Sequence, residues 1–173
     1  MDDCLNLAAA LCSHDIRLVY GGGNIGLMGM LADEVLRLGG KVIGVIPEKL
    51  LQIEVAHKRL TEMHVVKGMH ERKALMASLA DAFIVLPGGI GTMEEFFEIY
   101  TWLQLGYHGK PVAISNINGF YDILLSFLHM LVREEFVKKD QIDSLIIENN
   151  STDLVNRIIK SVPVSDHTDL NAT

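Results

Sequence analysis

Four short apolar runs, RLVY, KVIGVIP, AFIVL and KPVAIS, each stand between segments of helical periodicity. They carry too few polar residues to give a strand one wet face. Strands this uniformly apolar are covered on both sides, which is the condition of a parallel sheet with helices on each face. Between them, Asp2–Ser13, Leu27–Leu38, Met69–Ala80, Thr92–Leu105, Phe120–Arg133 and Thr152–Val162 read as helices. The second of these is closed by Gly39 and Gly40. LTEMHVV reads as a weaker strand and SLIIENN as a short last one. The fold class expected is α/β, a doubly wound parallel sheet. No linker or repeat divides the chain, so residues 1–162 read as one nucleotide-binding domain and 163–173 as a polar, disordered tail.

Composition narrows the function. Apolar residues make up 49% of the 173, enough for a sizeable core. The net charge of −7 argues against nucleic acid as a partner, so any anion site must be local. Cys4 and Cys12 offer neither a disulfide framework nor metal spacing, which fits a reducing, cytoplasmic location. The start, MDDCLNLAAAL, is acidic where a signal peptide would be basic. No apolar run reaches the roughly 18 residues of a membrane span.

Two glycine clusters follow strands and open helices. Gly21-Gly22-Gly23-Asn24-Ile25-Gly26 satisfies G-x-G-x-x-G, and Glu48 ends the next strand where a dinucleotide fold places its ribose acid. Three readings stand: an NAD-type oxidoreductase, close packing of a helix on its strand, or one wall of a mononucleotide site shared with the second cluster. The third is preferred, because both turns lie at one edge of a parallel sheet.

The second cluster is Pro87-Gly88-Gly89-Ile90-Gly91-Thr92, a backbone nest suited to phosphate. Thr92 and Glu95 also fit a capping box, with Thr92 as N-cap. At about 100° per residue, Met93, Phe96, Phe97, Ile99, Tyr100 and Leu103 share an apolar face, and Glu95 falls at its rim. A carboxylate there is placed for a raised pKa and for chemistry. Glu94 lies on the polar side and reads as solvated.

Arg72 projects into an apolar stripe formed by Met69, Leu75, Met76, Leu79 and Ala80. A guanidinium there is costly unless it meets an anion. It is therefore half of a structural ion pair or faces a ligand phosphate or base. His70 and Lys73 are off the stripe. The histidines show no HxxxH spacing, and no metal is expected.

GGGNIGLMG, VIGVIP, VAHKRLTEMHVV, MHERKALM, LPGGIGTMEEFFE and TWLQLG together resemble the Lonely-guy (LOG) family. The resemblance spans Leu5 to about Ile159. It implies a Rossmann-like fold, a homodimer or larger assembly, no cofactor, and hydrolysis of the N-glycosidic bond of adenine-type nucleoside 5′-monophosphates such as AMP or an N6-modified AMP. By residue-wise carry-over, Arg72 and Glu95 are the catalytic pair. Gly88, Gly89, Gly91 and Thr92 hold the phosphate, with Gly22, Gly23, Met69 and Lys73 as further substrate contacts. The family begins with a strand before its first helix, whereas this chain opens at that helix. That departure implies a missing central strand, and it keeps a non-catalytic nucleotide carrier or sensor in view as the alternative.

The expected mechanism follows from these assignments. The PGGIGT backbone fixes the phosphate, while Glu95 faces the ribose and stabilises an oxocarbenium-like transition state. Arg72 balances charge. Decarboxylation is disfavoured, since nothing offers an electron sink for a carbanion. Trp102 and Leu105 point away from the apolar face of their helix, on its glutamate-rich side, which suggests a homodimer interface beside the site.

Overall fold

The computed structural model describes residues 2–51 and 56–163. The expected tail from 164 onward lies outside the described residues. Elements follow in the order α1 (Asp2–Ser13), β1 (Leu18–Tyr20), α2 (Gly26–Arg37), β2 (Val42–Pro47), α3 (Glu48–Leu51), β3 (Glu62–Val66) and α4 (Met69–Leu79). Then come β4 (Phe83–Val85), α5 (Ile90–Gln104), β5 (Val112–Ser115), α6 (Asp122–Arg133), α7 (Lys139–Asp143), β6 (Ile146–Glu148) and α8 (Ser151–Ser161).

All strand pairings within the sheets are parallel. The ladder is divided into two three-stranded sheets, ordered β1-β2-β3 and β4-β5-β6. β2 and β5 are the middle strands and are buried at every residue, which accounts for the continuous apolar runs VIGVIP and VAIS. β1 and β4 each pair on one side only among the described residues, and each leaves two of three residues half-buried.

Side-chain packing joins the halves. Ile84 and Leu86, on and just after β4, pack against the core formed by α1, β1, α2 and β2, and Val155 of α8 belongs to the same cluster. A second cluster packs α5, α6 and α7 onto β4 and β5 through Phe96, Tyr100, Val112, Ile114 and Leu128. The C-terminal helix is anchored at its start. Asn150 caps α8 by accepting from the Thr152 and Asp153 amides at 2.9 and 3.0 Å, and the Ser151 hydroxyl donates to the Asp3 carbonyl at 3.0 Å. No helix among the described residues is long and apolar enough to cross a membrane.

Candidate active site

The PGGIGT segment runs from the end of β4 into α5. The helix begins earlier than the capping-box signature suggests. Gly89 is the N-cap, with extended backbone and no side-chain cap, so Ile90, Gly91 and Thr92 form the first turn. Thr92 is therefore a residue of that turn and not the N-cap. The first intrahelical bond runs from the Met93 amide to the Gly89 carbonyl at 3.2 Å. The amides of the preceding turn have no intrahelical acceptor and face outward with the positive end of a 15-residue helix dipole.

The glycines divide into two kinds. A Cβ on Gly88 would collide with the Thr92 hydroxyl, so Gly88 is required for the loop to close on its own helix. A Cβ on Gly89 or Gly91 would meet nothing within 4 Å. Protein packing gives no reason for glycine at those two positions. The backbone there is left open to approach from outside.

The loop is braced by a residue that sequence reasoning missed. The Tyr121 hydroxyl donates to the Leu86 carbonyl at 2.6 Å. Asn116, just past β5, holds this tyrosine by accepting from its backbone amide at 2.7 Å. The GFYD stretch gave no motif that marks this role; it appears only when β4 and β5 lie side by side.

Arg72 comes from the first turn of α4 and is 8% exposed. Its guanidinium packs against the backbone of Gly21, where any side chain would clash with it. One terminal nitrogen approaches the Met69 sulfur at 3.7 Å, and Nε has no hydrogen-bond partner among the described residues. Arg72 thus lies directly against the first glycine cluster. In the first cluster, Gly22 has a φ of +76° that favours glycine, and its carbonyl accepts from the His57 amide at 3.0 Å. The Gly23 carbonyl accepts from the Tyr20 hydroxyl at 3.0 Å. Both carbonyls are engaged within the protein.

Three glutamates of α5 face α4. Lys73 donates to Glu94 at 2.7 Å and to Glu98 at 3.0 Å, and both bonds raise the lysine pKa. Glu94 is therefore paired as well as half-exposed. Glu95 alone of the three has no ion pair among the described residues. Burial pushes its carboxyl up, and the nearby Arg72 charge pulls it part of the way back. The candidate site therefore presents an amide nest, a buried guanidinium with no ion-pair partner among the described residues, and a half-buried carboxylate that feels its charge. Such a set can hold an anionic group at one end and stabilise positive charge developing beside the carboxylate.

Trp102 and Leu105 lie at the far end of α5. Leu105 is 66% exposed, whereas Trp102 is half-buried in a groove with Ala74, Ala77, Tyr107, His108 and Lys110.

The parallel layers define the class first: a Rossmann-like α/β protein. Two solved structures share the fold. The molybdenum cofactor carrier protein of Chlamydomonas reinhardtii matches with a TM-score of 0.66 at 16% identity, over 92% of this chain and 85% of that one. The molybdenum cofactor binding protein of Rippkaea orientalis gives 0.64 at 19%, over 93% and 86%. At these identities the likeness concerns fold alone.

Sequence relatives are closer. Residues 28–158 match the family described as "Possible lysine decarboxylase". The cytokinin riboside 5′-monophosphate phosphoribohydrolase LOG of Oryza sativa subsp. japonica is 48% identical over 94% of this chain and 67% of its own length. The enzyme of that name from Rhodococcoides fascians is 54% identical over 76% and 67%. The chain belongs to this family, the Lonely-guy (LOG) family that its motifs resemble.

Proposed function

We propose that the protein hydrolyses the N-glycosidic bond of adenine-type, cytokinin-like nucleoside 5′-monophosphates, releasing free base and ribose 5-phosphate. The observation that carries this reading is the buried Arg72 guanidinium, unpartnered at Nε, beside the unpaired Glu95 at the mouth of the PGGIGT turn. The names of relatives at 48% and 54% identity support the same chemistry.

The 5′-phosphate sits on the amides of the α5 first turn, with the Thr92 hydroxyl beside it. Arg72 offsets its charge. The C1′–N bond breaks toward the base, and the electron pair leaves with the base, which takes up a proton. Glu95, as carboxylate, faces the electron-poor C1′ and accepts the proton of the water that adds there. Met69 and Lys73 frame the ribose, Lys73 also holding Glu94 and Glu98, and Gly22 and Gly23 close the opposite wall.

Incubation with AMP and with an N6-prenylated AMP, followed by chromatography of the products, tests the reading. Free base and ribose 5-phosphate are expected from at least the N6-modified substrate. Nucleotide binding with no base release from either would return the protein to the carrier or sensor class. Binding of NAD without affinity for AMP would favour the oxidoreductase.

The same reading includes a homodimer formed through α4 and the outer side of α5, burying Trp102 and Leu105 next to the site. Exposure of Leu105 at 66% and Tyr107 at 76% supports it. Trp102→Glu should remove one association step in sedimentation and abolish base release. A variant of unchanged mass and activity would reject that interface.

A further inference from the structure

His57 has no part in the proposed chemistry, yet it is 4% exposed and lies on the stretch that leads into β3. A ring buried this deeply needs partners for both nitrogens. Nδ1 accepts from the Arg59 amide at 3.2 Å, so it carries no proton. The proton is on Nε2, which donates to the Asp33 carboxylate of α2 at 3.2 Å. Asp33 is exposed and also accepts from Arg59 Nη2 at 3.0 Å. The Nδ1 bond closes a local turn, and the Nε2 bond ties that turn to another helix. Filling core space alone would be served by leucine or phenylalanine, which have no polar atoms to satisfy.

The tied segment bears on the first glycine cluster. The His57 amide donates to the Gly22 carbonyl at 3.0 Å, and Ala56 forms an antiparallel bridge with Gly23. The Tyr20 hydroxyl holds the next carbonyl, that of Gly23. Gly21, one residue earlier, is the backbone on which the Arg72 guanidinium lies. Polar contacts do little to direct that guanidinium: Nε has no partner among the described residues, and a terminal nitrogen reaches only the Met69 sulfur at 3.7 Å. The backbone beneath it does more. We infer that His57 is a positioning residue: its imidazole, anchored on Asp33, fixes Gly22 and Gly21 and thereby aims Arg72 at its anion. This role rests on the reading of Arg72 as the partner of a nucleotide phosphate.

The full chain is compared as wild type, His57→Phe, His57→Gln and Asp33→Ala, with Ile158→Val as a control for lost core packing. Two quantities are read. One is the Arg72 Nε–H signal in a proton–nitrogen correlation spectrum, assigned by its loss in Arg72→Lys. The other is steady-state hydrolysis of N6-prenylated AMP. His57→Phe keeps the ring and removes both bonds. It should displace the Arg72 signal and raise KM about tenfold, with kcat held within about threefold. His57→Gln, whose amide nitrogen can stand in for Nε2 and reach Asp33, should recover part of both readouts. Asp33→Ala leaves the core intact and should move both in the same direction by less; it decides the matter if His57→Phe does not fold. A wild-type Arg72 signal or a wild-type KM in folded His57→Phe would overturn the inference, as would an equal displacement of the signal in Ile158→Val. If the wild type releases no base, the proposed function fails, and the Arg72 signal alone decides whether His57 positions it.

Discussion

At the scale of single residues, Glu95 is held in tension between stability and chemistry. Burial raises its carboxyl above the ordinary 4.5, so the folded protein keeps a proton that the unfolded chain releases. Stability must then fall as pH rises from about 4.5 through the folded value, and the penalty is complete above that value. Glu95→Gln cannot ionise. It should melt above wild type at neutral pH, with the gap closing below about pH 4.5, and it should release no base while still binding nucleotide. A capping role has been removed by the Gly89 N-cap, so near wild-type turnover would leave this glutamate without a function. Gly91→Ala separates binding from folding in a different way. Nothing lies within 4 Å of the new methyl, and alanine in a helix gains about 0.5–1 kcal/mol over glycine. The melting temperature should hold or rise while affinity for AMP drops by tenfold or more, on the order of 1.4 kcal/mol. Unchanged affinity, measured by calorimetry, would take the phosphate away from this turn.

At the scale of elements, the site depends on two contacts between neighbours. Lys73 ties α4 to α5 through Glu94 and Glu98. Its raised pKa means that this contribution is present at neutral pH and is lost as pH climbs past 10.5 through the folded value. Lys73→Met should cost on the order of 1 kcal/mol, since the partners are partly solvated. It should also move the acidic limb of the pH–rate profile upward, because two uncompensated carboxylates then face Glu95. An unmoved limb would mean that Lys73 does not tune Glu95. Tyr121→Phe removes the bond to the Leu86 carbonyl and should cost about 1 kcal/mol. Steady-state kinetics should show the loss mainly in KM, since the tyrosine braces the turn proposed to hold the phosphate. How much of this was legible in sequence varies with the reach of the interaction. β2 and β5 declared themselves because burial on both faces leaves an uninterrupted apolar run. Arg72 stood out because a charge interrupted a stripe. The start of α5 was displaced toward Thr92, since T-x-x-E imitates a cap whose geometry Gly89 supplies instead. α3 and α7, of four and five residues, are too short for a period to show. Glu94 was read as solvated because its partner comes from another helix. Tyr121 was missed for the same kind of reason: its acceptor lies 35 residues away in the chain.

At the scale of the whole molecule, the candidate site straddles the two sheets. α4 packs on β1, β2 and β3, so Arg72 and Lys73 belong to the first half. Gly88, Thr92 and Glu95 follow β4 and belong to the second. A nucleotide held by both should raise the melting temperature, by about 2.7 kcal/mol of added stability at a hundredfold excess over Kd. A titration with AMP followed by scanning calorimetry measures this, and absence of any shift at saturating AMP would contradict a ligand bridging the halves. The half-open ladders of β1 and β4 give that coupling a mechanical meaning. Strands laddered on both sides transmit force through a row of backbone bonds, whereas here the load passes through Ile84, Leu86, α1 and α8, and through the Lys73 ion pairs. Two three-stranded sheets are joined by apolar packing, and the nucleotide, bound as proposed, is the crossbar between them. Amide exchange should accordingly be slow in β2 and β5 with or without nucleotide. In β1 and β4 it should be fast in the free protein and should slow once the crossbar is in place.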